Sequence, residues 1–337
     1  MAVAAGDWGG EDISLIRFFL LFLLLLATGC GPTMKETADT ASSYTITDCK
    51  GTEMKMPAPP KRILTLSMST DTIMLGLVKP ERMVAVNALL EDPVSSNIVE
   101  LAKQIPTKIN NPSMEEIMAL RPDLVIVPDW GDIEQVENLR DLGLKVYVCP
   151  GPKNLAEIKD TVCRLAAAIG EPERGEKLVA LMDDTLARIK SRLAKIPRRE
   201  IPRVMLISLM AGYGGSGCTF DEACQLAGVI NSRSEAGIKN GQTMSKEQLV
   251  AINPDILFLP SYTAGGSLDV EKYRRQYTDD PSLKNIKAIR NNRLLYPRES
   301  YIYNGSQDFV FTVQEIAYVV YGDEFAQSDR EHLSAAE

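Results

Sequence analysis

Apolar residues along this chain follow two alternating patterns. Continuous runs such as Asp123–Pro128 (DLVIVP), Lys145–Pro150 (KVYVCP), Arg203–Leu209 (RVMLISL) and Asp255–Pro260 (DILFLP) have the length of strands buried on both faces. Between them, apolar positions recur every three or four residues, as in helices with one buried face. From Arg62 the pattern predicts strand Arg62–Ser67, helix Thr70–Leu77, strand Met83–Asn87, helix Met114–Leu120, strand Asp123–Pro128, helix Ile133–Leu142, strand Lys145–Pro150 and helix Leu155–Ile169. The rhythm then repeats, with strand Arg203–Leu209, helices Phe220–Ala227 and Lys246–Ile252, strands Asp255–Pro260 and Arg293–Pro297, and a last helix Gln307–Tyr321. Buried strands separated by helices imply parallel sheets covered on both faces.

The longest periodic segment lies between the two halves. Leu178, Met182, Leu186, Ile189, Leu193 and Ile196 form one stripe within Pro172–Pro197, a segment that starts with Pro172 and Glu173 and ends among Lys190, Arg192 and Lys195. Proline suits a first helical turn, and these charges complement the helix dipole at each end. One helix of about 35 Å, at 1.5 Å per residue, is therefore expected to join two similar α/β halves.

Composition narrows the function. With 45% apolar and 24% charged residues, 337 residues suffice for two modest cores, and a formal charge of −8 argues against nucleic acid as a partner. The only histidine is His332 and no CxxC occurs, which excludes zinc sites of the Cys/His kind. Phe18–Leu26 (FFLLFLLLL) is too short to span a bilayer and suits a signal peptide, followed by Ala27-Thr28-Gly29-Cys30. That tetrapeptide resembles a bacterial lipobox, with Leu26 one place further back than usual. Residues 1–29 are thus expected to be a lipoprotein signal peptide and Cys30 the lipidated residue, anchoring the protein on the outer face of the cell membrane. Asp7, Glu11 and Asp12 with no basic residue before Arg17 place the expected translation start near Ile13 to Leu15. Residues 30–57 read as a flexible tether with a short hairpin near TITDCKGTEMKMP.

The halves share a phrase. MEEIMALRPDLVIVPDW begins at Met114 and SKEQLVAINPDILFLPSY begins at Ser245. Aligning Pro122-Asp123 with Pro254-Asp255 places Glu115 opposite Glu247, each at the start of a short helix, where a carboxylate suits the dipole. With KRILTLSMSTDTIMLGL, NPSMEEIMALRPDLVIV, LGLKVYV, CQLAGVIN and MSKEQLVAINPDILFL in this order over residues 60–321, the chain resembles the substrate-binding lipoproteins of the iron-siderophore and cobalamin type that serve ABC importers. It departs from that pattern at Met68, where the family tends to have proline.

The resemblance implies two Rossmann-like lobes with parallel sheets, joined by one long rigid helix, with ligand in the cleft between them. It divides the chain into an N-terminal lobe (58–171), a connecting helix (172–197), a C-terminal lobe (198–322) and a polar tail (323–337). It also implies that Glu115 and Glu247 meet arginines of a dimeric permease. In parallel sheets ligands lie at the carboxyl ends of the strands, which nominates Ser67, Asn87, Trp130, Tyr213, Tyr262, Arg298, Tyr301 and Tyr303. Ser67 is also a natural helix cap. Aromatic groups with one cation, Arg298, suit a bulky chelate of low negative charge, so a ferric siderophore of hydroxamate type is the first expected ligand and a corrinoid the second. Haem would need Tyr301 or Tyr303 as its iron ligand.

The glycines of MAGYGGSG (Met210–Gly217) are not followed by the Lys-Ser pair of a nucleotide loop, and are expected to let backbone approach a ligand or flex at the cleft. Without a histidine in the cleft or a GxSxG motif, nucleophilic catalysis lacks its parts, and no cofactor is expected. A surface lipoprotein binding a protein partner, and a metal-cofactor enzyme of similar fold, remain as alternatives.

Overall fold

The computed structural model describes residues 1–2, 43–131, 133–197, 201–261 and 269–336. The lipobox and Cys30 lie outside the described residues. Helices of six or more residues are numbered here. Strands β1 (Tyr44–Thr47) and β2 (Glu53–Met56) form an antiparallel hairpin. There follow β3 (Ile63–Thr65), α1 (Met68–Leu77), β4 (Met83–Asn87), β5 (Lys108–Ile109), α2 (Met114–Ala119), β6 (Leu124–Pro128), α3 (Ile133–Asp141), β7 (Val146–Cys149) and α4 (Leu155–Ala168). After the long helix α5 (Pro172–Leu193) come β8 (Arg203–Leu206), α6 (Thr219–Leu226), β9 (Ile230–Asn231), α7 (Lys246–Ile252), β10 (Ile256–Phe258), α8 (Val270–Thr278), β11 (Leu294–Leu295) and α9 (Phe309–Tyr321).

The first half holds a five-stranded sheet ordered β5-β4-β3-β6-β7 and the second a four-stranded sheet ordered β11-β10-β8-β9. Every neighbouring pair in both is parallel. The α/β architecture of two parallel sheets and one long helix is the one expected. Pattern reading did not find β5 and β9, two residues each, which are too short to show a period. It also did not find α8, which has no buried residue and hence no apolar stripe.

Helix α5 buries Leu178, Met182, Ile189 and Leu193 together with Gly175 and Thr185. A methyl group at Gly175 would lie 2.6 Å from the Ala166 Cβ, so only glycine lets α4 and α5 approach this closely. On its other side α5 packs against α9. The helix stops at Leu193, short of the expected Pro197: Ala194 caps it, and the next two amides close tighter turns, bonding three residues back from Lys195 to Arg192 and from Ile196 to Leu193.

Two boundary segments differ from expectation. The hairpin at the end of the supposed tether is packed: Ile46, Met54 and Met56 join the core, Tyr44 donates to the Ala168 carbonyl at 3.0 Å, and buried Asp48 pairs with Arg140 at 2.6 Å. The supposed polar tail is a strap across both halves. Asn97 Nδ2 donates at 2.7 Å to Asp308 Oδ2 and at 2.7 Å to the Glu331 carbonyl, while His332 Nδ1 sits 2.7 Å from the same Asp308 oxygen. The Leu333 N–H donates to Asp308 Oδ1 (2.9 Å), Gln307 Nε2 donates to the carbonyls of Thr72 (2.9 Å) and Leu333 (3.2 Å), and the Ala335 N–H donates to the Gly76 carbonyl (2.7 Å). The segment is polar because its polar groups are the fastening.

The repeated phrase is a repeated structure. Ser113 caps α2 and Ser245 caps α7, each in a reciprocal capping box with Glu116 or Gln248. Both helices end in a left-handed residue, Arg121 (φ 49°) and Asn253 (φ 50°). Arg62, just before β3, donates to the carbonyls of Leu120 (2.6 Å) and Arg121 (2.9 Å), and Arg203, opening β8, donates to those of Ile252 (3.1 Å) and Asn253 (3.0 Å). The aspartates of the two Pro-Asp pairs close the frame: Asp123 accepts from the Arg62 N–H (3.0 Å) and Asp255 from the Arg203 N–H (3.1 Å). Glu115 and Glu247 therefore occupy the second position of equivalent helices, both exposed.

Candidate functional site

The carboxyl ends of both sheets open on a cavity of about 440 Å³. From the first half it is lined by Met68, Ser69 and Thr72 of α1, by Leu89 and Leu90 after β4, and by residues 95–97; from the second, by Leu209 and Met210 after β8 and by Glu299, Ser300 and residues 303–305 after β11. The lining is mainly apolar, punctuated by hydroxyl and amide groups, as in small-molecule sites.

A second cavity of about 330 Å³ lies in the first half, at the ends of β3, β4, β5 and β6. The sheet order reverses here: β4 and β5 lie to one side of β3, and β6 and β7 to the other. Such a switch point leaves a crevice. Thr65, Asn87, Asn111, Gln135 and Trp130 line it. Trp130 is 64% exposed, and its ring lies so close to Gly151 that a methyl there would come within 2.5 Å of a ring carbon. Beneath this cavity Asp71 is fully buried, hydrogen-bonded with Thr65 and accepting the Asn87 N–H at 2.9 Å. Burial pushes its carboxyl up to about 8.

The nominated residues divide. Tyr303 lines the larger cavity, with its hydroxyl 3.1 Å from Ser208 Oγ, and Asn87 and Trp130 line the smaller one. Ser67 caps α1, accepting the Thr70 N–H at 3.3 Å, and neither cavity is lined by it. Tyr213 packs behind Tyr303, ring centroids 5.2 Å apart, with its hydroxyl 3.1 Å from Thr219 Oγ1. Tyr262 lies outside the described residues.

Arg298 and Tyr301 do not face the cleft. The Arg298 guanidinium donates to Glu315 Oε2 (2.9 Å from Nε, 2.5 Å from Nη2) and to the Gln327 carbonyl (3.1 Å), and it pairs with Asp329. Tyr301 is wholly buried, donating to the Ser328 carbonyl (2.9 Å) and accepting the Glu331 N–H (3.0 Å). Both brace the segment that precedes the strap. Residues missed by sequence reading, chiefly Glu299, Ser300 and Met210, lie in the nominated loops at positions that no periodicity distinguishes.

The glycine loop is also redirected. A methyl group at Gly215 would lie 2.5 Å from the Lys239 backbone and one at Gly212 2.7 Å from Gly241, so these glycines serve close packing of two loops rather than of a ligand. Buried Arg233 fixes the loop by donating to the carbonyls of Tyr213 (2.8 Å) and Gln242 (2.7 Å).

Comparison with known proteins agrees with this geometry. Residues 63–301 match the family described as periplasmic binding protein. The chain is 25% identical over 303 residues to the probable siderophore-binding lipoprotein YfiY of Bacillus subtilis, covering 83% of this chain and 89% of that one. It is 26% identical over 215 residues to the vitamin B12-binding protein of Salmonella typhimurium, covering 63% of this chain and 76% of the other. Among solved structures, the periplasmic heme-binding protein RhuT from Roseiflexus sp. RS-1 in apo form superposes with a TM-score of 0.65 at 24% identity, covering 79% of this chain and 99% of that one.

Proposed function

Because the chain belongs to the periplasmic binding protein family, an extracytoplasmic family of solute-binding proteins for ABC importers and not of enzymes, we propose that it captures a ferric siderophore between its halves and delivers it to an ABC permease. The observation that carries this reading is the 440 Å³ cavity, mainly apolar, lined from both halves and free of Lys, Arg and His among its described lining residues. Anionic chelates need cations in their site. The turning away of Arg298 toward Glu315 thus favours a hydroxamate complex over a catecholate.

A corrinoid is the second reading, favoured by the amide-rich cavity beside Trp130, which suits a ligand with many neutral amides. Haem is disfavoured. Tyr301 is spent on Ser328 and Glu331, and burial, with the Glu299 charge adding to it, pushes the Tyr303 hydroxyl up to about 12, opposing the phenolate that iron would require.

A chain beginning at Ser43 has Trp130 as its one tryptophan. Titration with ferrioxamine, a ferric hydroxamate, is expected to quench its fluorescence to saturation, with no turnover of the complex. Saturable quenching by cyanocobalamin and none by the ferric complex would move the assignment to a corrinoid.

Among the described residues no helix is long and apolar enough to cross a membrane. Membrane attachment is assigned to a lipid on Cys30. Wild type is expected to partition into detergent as a processed form, and Cys30→Ala to retain its leader. Identical processing and partitioning of the two would overturn the anchor.

A further inference from the structure

A third cavity, of about 250 Å³ and mainly polar, shares no lining residue with the other two. It lies between the C-terminal half of α5, helix α9 and the segment that leads into the strap, and its lining includes Thr185, Arg188, Arg192, Gln314 and Glu331. Arg188 and Arg192 stand one turn apart on the same face of α5. Arg188 Nη2 donates at 2.9 Å to the hydroxyl of buried Thr185, which holds this guanidinium against the cavity wall. Arg192 Nη1 donates to the Glu324 carbonyl at 3.3 Å. Among the described residues neither arginine meets a carboxylate, whereas Arg174, the third arginine of the helix, pairs with Glu171 at 3.5 Å.

The acceptors in the lining are also open. Glu331 is held through its backbone: its N–H donates to the Tyr301 hydroxyl (3.0 Å) and its carbonyl accepts Asn97 Nδ2 (2.7 Å), while its carboxylate has no hydrogen bond or ion pair among the described residues. Gln314 Nε2 donates to the carbonyls of Phe325 (3.1 Å) and Ala326 (3.3 Å), which leaves Oε1 as the group that can accept.

We propose that this cavity is a second binding site, for an aminoalkyl phosphate, with the phosphate against Arg188 and Arg192 and the ammonium against Glu331 and the Gln314 oxygen. Guanidinium groups present several N–H donors in a planar fork that matches phosphate oxygens, and only one donor of each is engaged by the fold here. Glu331 repels a simple anion, so charge balance across the lining calls for a ligand carrying both signs. Free phosphoethanolamine and the headgroup of phosphatidylethanolamine share this chemistry. The proposal is independent of which chelate occupies the larger cavity.

The test is calorimetric titration of the full-length protein with O-phosphoethanolamine, glycerophosphoethanolamine, inorganic phosphate and ethanolamine. Wild type is expected to bind at least one of the two amine-bearing phosphates about tenfold more tightly than phosphate or ethanolamine. The tighter of the two identifies the source, the monoester pointing to a soluble ligand and the diester to a lipid headgroup. Arg188→Gln and Arg192→Gln should each weaken that probe by about tenfold, and Arg188→Lys, which keeps the charge, should retain part of the affinity. Glu331→Gln should reduce the affinity to that for phosphate, and none of these substitutions should alter ferrioxamine binding. Phosphate bound as tightly as the amine-bearing probes overturns the two-signed ligand. Binding of none of the four probes, or binding that survives both arginine-to-glutamine substitutions together, overturns the site. Failure of ferrioxamine to bind wild type overturns the chelate reading and leaves this site standing.

Discussion

Truncation after Asp329 is expected to lower the melting midpoint by roughly 5–10 °C and to let the cleft close further on ligand than it does in the full chain. Residues 331–335 bond four times to Asn97, Asp308 and Gln307, and the Ala335 N–H donates to the Gly76 carbonyl of α1, so the strap ties α1 and residue 97 of the first half to the head of α9 in the second. Without them Asp308, wholly buried, loses His332 and the Leu333 N–H. Breaking a buried charged pair from one side costs about 3–5 kcal/mol, and for a chain of this size that corresponds to the stated shift. A single stiff helix already restricts the halves to small movements, and the strap is a second restraint. Scattering with and without the ferric chelate should therefore show little change in radius of gyration for the full chain and a larger change for the truncated one. Equal midpoints and equal changes would show that the strap restrains nothing.

The same contact gives the strap a pH dependence. Burial alone would lower the His332 pKa, but Asp308 beside it outweighs burial and holds the imidazole above its ordinary value. A raised folded-state pKa means that the His332 contribution is fully present below about 6.5 and fades as pH rises through the raised value. The stability difference between wild type and His332→Asn should accordingly be larger near pH 6 than near pH 8 in thermal melts. A difference that grows with pH would contradict this sign.

Strands such as β6 and β7 were legible because four or five consecutive buried positions leave no other reading. The loops forming the cavity followed from them, since parallel strands place their carboxyl ends on one edge. Which side chain of each loop faces inward was not legible. Around β11 the choice between Arg298 and Glu299 is made by Glu315 and Asp329, 17 and 31 residues away, and Tyr301 is drawn inward by the carbonyl of Ser328. The strap was hidden for a related reason. Polar composition marks both a solvated tail and a segment whose polar groups bond to two lobes, and only the partners distinguish them. The glycine loop likewise carries no mark of whether backbone or ligand will fill the space above Gly215.

Charge reversal at both Glu115 and Glu247 is expected to abolish uptake while leaving ligand affinity and the melting midpoint near wild type. The two residues sit in the same frame: a serine cap, a capping box, a left-handed exit residue, an arginine closing the helix end and a Pro-Asp entry to the next strand. Neither side chain is needed for that frame, because Glu116 and Gln248 supply the capping contacts and Arg62 and Arg203 hold the exits. One turn further along each helix, Met118 (37% exposed) and Val250 (43% exposed) repeat the correspondence with an apolar residue at the surface. Two equivalent anions on one chain would match a partner with two-fold symmetry and paired cations, the docking proposed here for a dimeric permease. The single variants Glu115→Arg and Glu247→Arg should each weaken docking, and the double variant should eliminate it, as measured by co-purification with the permease and by cellular iron uptake. Uptake at wild-type rate in the double variant would exclude the docking role. Loss of chelate binding by the purified double variant would instead place these residues in the architecture of the lobes.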